Sequence, residues 1–176
     1  MFKKITILFM LVITLFVFGC TPKKQTHLEY QTKNFECVAD IKINGEDYSV
    51  KYLKTDNQKY KITYTAPETV SGITIEKNNE GLFFSVGNVH IPLKDKSNIT
   101  AETIKLFNLS KTDLVSTKSD ILSGVKVKIF DYKCNFGNVK LYLSDETDLP
   151  LRIEAGINGN TVVMSLSEFK IIEKEA

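Results

Sequence analysis

From Asn34 onward the chain alternates apolar and polar residues with a period of two, the pattern of strands that are half buried. Phe35, Cys37, Ala39, Ile41 and Ile43 alternate with Glu36, Val38, Asp40 and Lys42, and Asn44-Gly45 then supplies a strong hairpin signal. Tyr48, Val50 and Tyr52 mark the next strand, and Asp56-Asn57 turns the chain into Tyr60, Ile62, Tyr64 and Ala66. Pro67 ends that strand because it cannot donate to a ladder. Ile73 and Ile75 open another strand, residues 82–86 return after a turn over Asn78 to Gly81, and Gly87-Asn88 leads into Val89 and Ile91. The alternation then lapses. Ser97-Asn98 can cap a short helix over Ile99 to Leu109, with Ile104 and Phe107 on one face and Leu106 beside them. A linking stretch, Leu114 to Leu122, has strand character, and alternation resumes from Val125 through turns at Gly137-Asn138, Asp145 to Asp148 and Gly156 to Asn160. About ten strands and one helix on a single core predict a mainly β domain. A strongly curved antiparallel sheet, in effect a half-open barrel with the helix against its concave face, leaves no apolar face uncovered.

The first twenty residues follow a different rule. Lys3 and Lys4 precede an almost wholly apolar run from Ile5 to Phe18, and the chain turns polar directly after Gly19-Cys20. That is the make-up of a secretory signal peptide. The run is shorter than the roughly 20 apolar residues a spanning helix needs. Val17-Phe18-Gly19-Cys20 resembles the lipobox of bacterial lipoproteins, which implies cleavage before Cys20 and acyl chains, palmitate among them, on that cysteine. The expected organisation is therefore a signal peptide over 1–19, lipidated Cys20 with a polar tether to residue 33, a β domain over 34–172, and a polar tail at 173–176. Two or three acyl chains make such anchoring stable where one does not. The predicted location is the extracytoplasmic face of a cell membrane.

Cleavage changes the charge picture. The signal carries two of the 23 basic residues and no acidic ones, so the remaining 157 residues balance 21 basic against 21 acidic. A neutral domain has no basic face to offer, which argues against nucleic acid as a partner. Arg152 is the single arginine among many lysines, and with abundant Asn and Ile this composition points to a low-GC, Gram-positive source. With Cys20 consumed, Cys37 and Cys134 remain in a compartment where they can either pair or stay as separate buried thiols.

Residues 60–93 (YKITYTAPETVSGITIEKNNEGLFFSVGNVHIPL) resemble the LolA and LolB lipoprotein-carrier superfamily, through Ala66-Pro67-Glu68 and Gly72-Ile73-Thr74. Val139 to Leu143, Leu149-Pro150-Leu151-Arg152-Ile153 and the approach to Phe169 carry the same likeness, so that it covers most of residues 34–172. Within the superfamily the chain looks most like the lipid-anchored germination-lipoprotein (GerS-like) proteins of spore-forming Gram-positive bacteria. The resemblance implies a half-open barrel whose apolar concave side, in the carriers, holds acyl chains. It also implies a germination or sporulation role in support of a cortex or cell-wall amidase. The chain departs from the carriers in showing no amphipathic helix pattern before the first strand, only the polar tether, and in having no Trp.

Catalytic and metal signatures are missing from the pattern. His27 falls in the tether, and His90 points away from its apolar neighbours Val89 and Ile91. Asp145, Glu146 and Asp148 crowd one polar turn without the alternating ligands and glycine of a calcium loop. No cofactor or metal is predicted, and the reading is a non-catalytic protein that binds an apolar ligand or an envelope protein. An envelope hydrolase, the catalytic alternative, would have to draw on Asp145, Asp148 or His90. The candidate cavity or partner surface comprises Tyr48, Tyr52, Tyr60, Ile62, Tyr64, Ile73, Ile75, Phe84, Ile104 and Phe107. Amphipathic rings suit both a cavity and a partner surface, and they equally suit the core of the barrel.

Overall fold

The computed structural model describes residues 28–56, 59–93 and 102–173, so the signal segment, Cys20 and His27 lie outside the described residues. Eleven antiparallel strands form one open sheet: β1 (Asn34–Ile43), β2 (Glu46–Asp56), β3 (Lys59–Ala66), β4 (Thr74–Lys77), β5 (Leu82–Val86), β6 (Val89–Pro92), β7 (Leu114–Leu122), β8 (Val125–Cys134), β9 (Gly137–Ser144), β10 (Pro150–Ile157) and β11 (Asn160–Ile172). Their spatial order is β6-β5-β4-β3-β2-β1-β11-β10-β9-β8-β7. Every neighbouring pair is thus consecutive in sequence except β1 and β11. The mainly β, single-sheet expectation holds, with the linking stretch 114–122 now a full strand at one edge.

Local chemistry explains the turns. Asn44 (φ 51°) and Gly45 (φ 97°) close the β1–β2 hairpin in the left-handed conformations that a two-residue turn of this hand requires. Ser123 (φ 50°) and Gly124 (φ 85°) do the same between β7 and β8. Pro67 follows β3 through a cis peptide bond.

One face of the sheet carries the core. Cys37, Tyr52, Ile62, Ile75, Phe84 and Ile91 stand opposite one another in a single row from β1 to β6. Ile41, Met164, Ile153, Leu141 and Phe130 form the matching row from β1 to β8. Two short segments lie over this inner face. One is Leu28 with the 3-10 turn Glu29–Thr32, in which Leu28 and Tyr30 are buried. Among the described residues the packed part of the chain thus includes Leu28 and Tyr30, whose apolar side chains in an otherwise polar stretch dock into the sheet. The other is the helical turn that includes Ile104–Phe107; Ile104, Leu106, Phe107 and Leu109 are all buried. Of the predicted helix over 99–109, residues 99–101 lie outside the described residues.

Candidate functional site: the concave face

The inner face is largely filled by the protein's own side chains. Phe107 packs against Phe35 (ring centroids 5.2 Å apart) and Tyr52 (5.0 Å), and Phe35 stacks on Phe169 at 4.7 Å. Tyr30 meets Phe169 edge-on at 5.8 Å. Each such buried apolar side chain contributes roughly 1.5–3 kcal/mol relative to exposure.

Polar contacts fix this cover at three points. The Tyr52 and Thr103 hydroxyls share a buried hydrogen bond. Asn108 Nδ2 donates to Tyr60 Oη at 2.5 Å. Lys54, fully buried on the inner face, donates through Nζ to the Gln31 carbonyl and lies over the rings of Phe35 (5.8 Å) and Tyr60 (6.0 Å). With its amide oriented to satisfy both partners, Gln31 accepts from the Leu109 N–H at 2.9 Å and donates to the Leu109 carbonyl at 3.3 Å. The two covering segments are thereby joined to each other as well as to the sheet. A buried ammonium needs such partners, since unpaired charge is costly away from water. Burial lowers the pKa of Lys54. It raises that of Tyr52, and it pushes Tyr60 up to about 12 against the lesser opposing effect of the Asn108 bond.

The predicted site residues divide accordingly. Tyr52, Tyr60, Ile62, Ile75, Ile104 and Phe107 are core. Tyr48 and Tyr64 are half-buried and pack edge-to-face at 5.9 Å, while Ile73 precedes β4 and accepts from the Tyr64 N–H at 2.8 Å. Phe84 is half-buried because burial fails along its row. Tyr52, Ile62 and Ile75 are buried, Phe84 is half-buried, and Ile91 at the sheet edge is 48% exposed. Val86 (43%) and Val89 (55%), paired across the β5–β6 turn, extend the exposed strip. Two residues along the same face, Leu82 lines a cleft of about 290 Å³ with Ile104, Lys77, Asn78, Gly81, Glu102 and Lys105. Glu102 is itself buried and pairs with Lys105. A further hollow, of about 550 Å³, is a shallow groove whose lining includes Val115, Asp131, Lys140, Glu154 and Val163.

Sequence reasoning missed Leu28, Tyr30 and Lys54 as inner-face residues, and Val86, Val89 and Ile91 as uncovered ones. For Lys54 a signal existed: it continues the inward parity of Tyr48, Val50 and Tyr52.

The candidate reactive groups have local partners. Asp145 and Asp148 are both held by Lys128, at 3.3 and 3.0 Å. His90 shares a 2.6 Å hydrogen bond with Ser85 Oγ and stacks on Phe83 at 4.7 Å, on an exposed edge strand. No group of three or more His, Cys, Asp or Glu among the described residues is placed to hold a metal. Cys37 and Cys134 are free thiols, one buried and one half-buried. Burial raises Cys37 to about 12, and burial with the nearby Asp113 raises Cys134 to about 11. No helix among the described residues is long and apolar enough to cross a membrane.

No protein-family model and no curated protein matches the sequence. Solved structures do resemble the fold. An uncharacterised conserved protein from Thermus thermophilus superposes with a TM-score of 0.55 at 12% identity, covering 84% of this chain and 85% of that one. A LolA superfamily protein from Nitrosomonas europaea gives 0.48 at 12% identity, over 82% and 88% of the two chains. The lipoprotein LppX of Mycobacterium tuberculosis gives 0.48 at 8% identity, over 83% and 91%. At these identities the likeness is one of fold, which is shared with the Thermus protein.

Proposed function

We propose that the chain is a non-catalytic, lipid-anchored protein of the extracytoplasmic membrane face that binds an apolar ligand, or an apolar segment of an envelope protein, on the uncovered inner face of β4 to β6. One observation carries this reading. The row Cys37–Tyr52–Ile62–Ile75–Phe84–Ile91 stays apolar after its cover has ended, so Phe84, Val86, Val89 and Ile91 meet water beside an apolar cleft. Apolar surface of this kind, contiguous and edged by polar groups, favours a binding partner. The anchor rests on the Val17-Phe18-Gly19-Cys20 ending, and the amidase-supporting role rests on the sequence resemblance alone.

One set of experiments tests the reading. In cells fed labelled palmitate, the chain takes up label and the Cys20→Ala variant does not. The chain beginning at Thr21, which keeps every described residue, binds a dansyl-labelled fatty acid. Phe84→Glu or Ile91→Glu weakens that binding about tenfold, the equivalent of roughly 1.4 kcal/mol. If the fatty acid does not bind but an envelope protein is recovered in an Ile91-dependent pull-down, the occupant is the protein. The absence of both fatty-acid binding and Ile91-dependent capture would overturn the reading.

A further inference from the structure

The open sheet has two edges, and they differ. The β6 edge is four residues long and ends in Pro92, so it offers little for another strand to pair with. The β7 edge runs for nine residues, Leu114 to Leu122, with Val115 (68%) and Ile121 (67%) among the most exposed apolar side chains of the chain.

Hydrogen-bonding parity shows which β7 groups face outward. Leu122 and Val125 flank the two-residue turn Ser123-Gly124 and therefore form a hydrogen-bonded pair, as do Asp120 with Val127 and Lys118 with Ile129. Thr117, Ser119 and Ile121 alternate with these, so their N–H and C=O groups point away from β8. The Ile121 N–H agrees: it is taken up at 2.8 Å by Oδ1 of Asp120, a side-chain stopgap on a free edge.

We infer that β7 pairs antiparallel with β7 of a second copy of this chain, in the register that places Ser119 opposite Ser119. Outward-facing residues must meet outward-facing residues, which leaves a small set of registers. Shifting so that Lys118 faces Lys118, or Asp120 faces Asp120, opposes like charges, which destabilises a strand pair. The Ser119-centred register sets Lys118 against Asp120 twice, once on each side of the two-fold axis. It also pairs Thr117 with Ile121 and completes six main-chain hydrogen bonds over three residue pairs. Lys118 and Asp120 make no ion pair among the described residues, so both charges are available. Strand β7 is thus self-complementary, the property a symmetric dimer interface demands. Pairing extends the sheet through the edge opposite to β6 and leaves the apolar strip of β5 and β6 open.

The test uses the chain beginning at Thr21 and sedimentation velocity over a wide concentration range. The wild type shows a monomer–dimer equilibrium. Lys118→Asp and Asp120→Lys each weaken the dimer about tenfold, by replacing two attractive pairs with two repulsive ones. The double variant K118D/D120K restores it. Ser119→Pro removes an N–H that faces outward and not β8, so it abolishes the dimer while circular dichroism and thermal midpoint stay those of the wild type. A wild type that remains monomeric at every concentration, or a dimer indifferent to both the reversals and the proline, overturns the inference.

Discussion

Gly137 opens β9 at a point where the chain leaves no room for a side chain. A Cβ there would lie 1.6 Å from the Gly156 carbonyl oxygen of β10, and the backbone already sits at φ 144°. Both the close approach and the dihedral call for glycine. Gly137→Ala is therefore expected to cost about 3 kcal/mol, within the range seen for backbone strain and overpacking, and urea unfolding would measure it. The sequence placed a turn at Gly137-Asn138, whereas the turn falls on Asn135-Phe136 and Gly137 pairs with Cys134 as the first residue of β9; the need for glycine there was not legible. That need comes from Gly156, nineteen residues further on, whose approach depends on the β9–β10 register. Lys54 teaches a related lesson. Strand parity pointed it inward, yet charge argued for solvent, and only the Gln31 carbonyl with two flanking rings makes burial tolerable.

At the scale of elements, the strands were readable because a half-buried strand repeats its environment every second residue. Of the two covering segments only one was: the pairing of Ile104 with Phe107 on one face pointed to a helix over the concave side, and a helical turn is found there. Leu28 and Tyr30 were not, because two apolar residues in a polar stretch make no period. The tyrosines illustrate the same limit: Tyr52 and Tyr60 are core because residues distant in sequence, Thr103 and Asn108, reach over and bond their hydroxyls. Energetically the cover is held by its aromatic insert. Phe107→Ala removes contacts to both Phe35 and Tyr52 and is expected to cost 3–5 kcal/mol, roughly, by comparison with other buried Phe truncations. Chemical denaturation would measure the loss. If Phe107 were a surface ring resting on the sheet, the loss would stay under about 0.5 kcal/mol.

The molecule as a whole concentrates its acid groups of high pKa in one core. Burial pushes Cys37, Tyr60 and Tyr132 up to about 12, from ordinary values of 9.0 for the thiol and 10.0 for the phenols. Above pH 9 the unfolded chain releases thiol protons that the folded chain keeps, so ν is larger in the native state and stability falls as pH rises. The contribution is whole below pH 9 and is lost as pH climbs through about 12. Lys54, with its pKa lowered, works in the opposite direction up to 10.5. The urea midpoint should hold steady to about pH 9 and then decline. With Cys37→Ala and Cys134→Ala combined, the decline should begin about one unit later, where tyrosines titrate. An onset unchanged by removing both thiols would refute this assignment.

The sheet order has a kinetic side. All ladders but one join strands adjacent in sequence, so β1 to β6 and β7 to β11 are two meanders that can each grow by local hairpin closure. They are zipped together by β1 and β11, where Asn34 meets Ile172 and Ile43 meets Val162. Loop closure over such separations is the slow kind, and the apolar surface of each meander stays exposed until it happens. The β1–β11 seam is therefore expected to be the last ladder to form. Because β1 is also the first strand to follow the N-terminal segment, the strand that finishes the fold is the one closest in sequence to the predicted anchor.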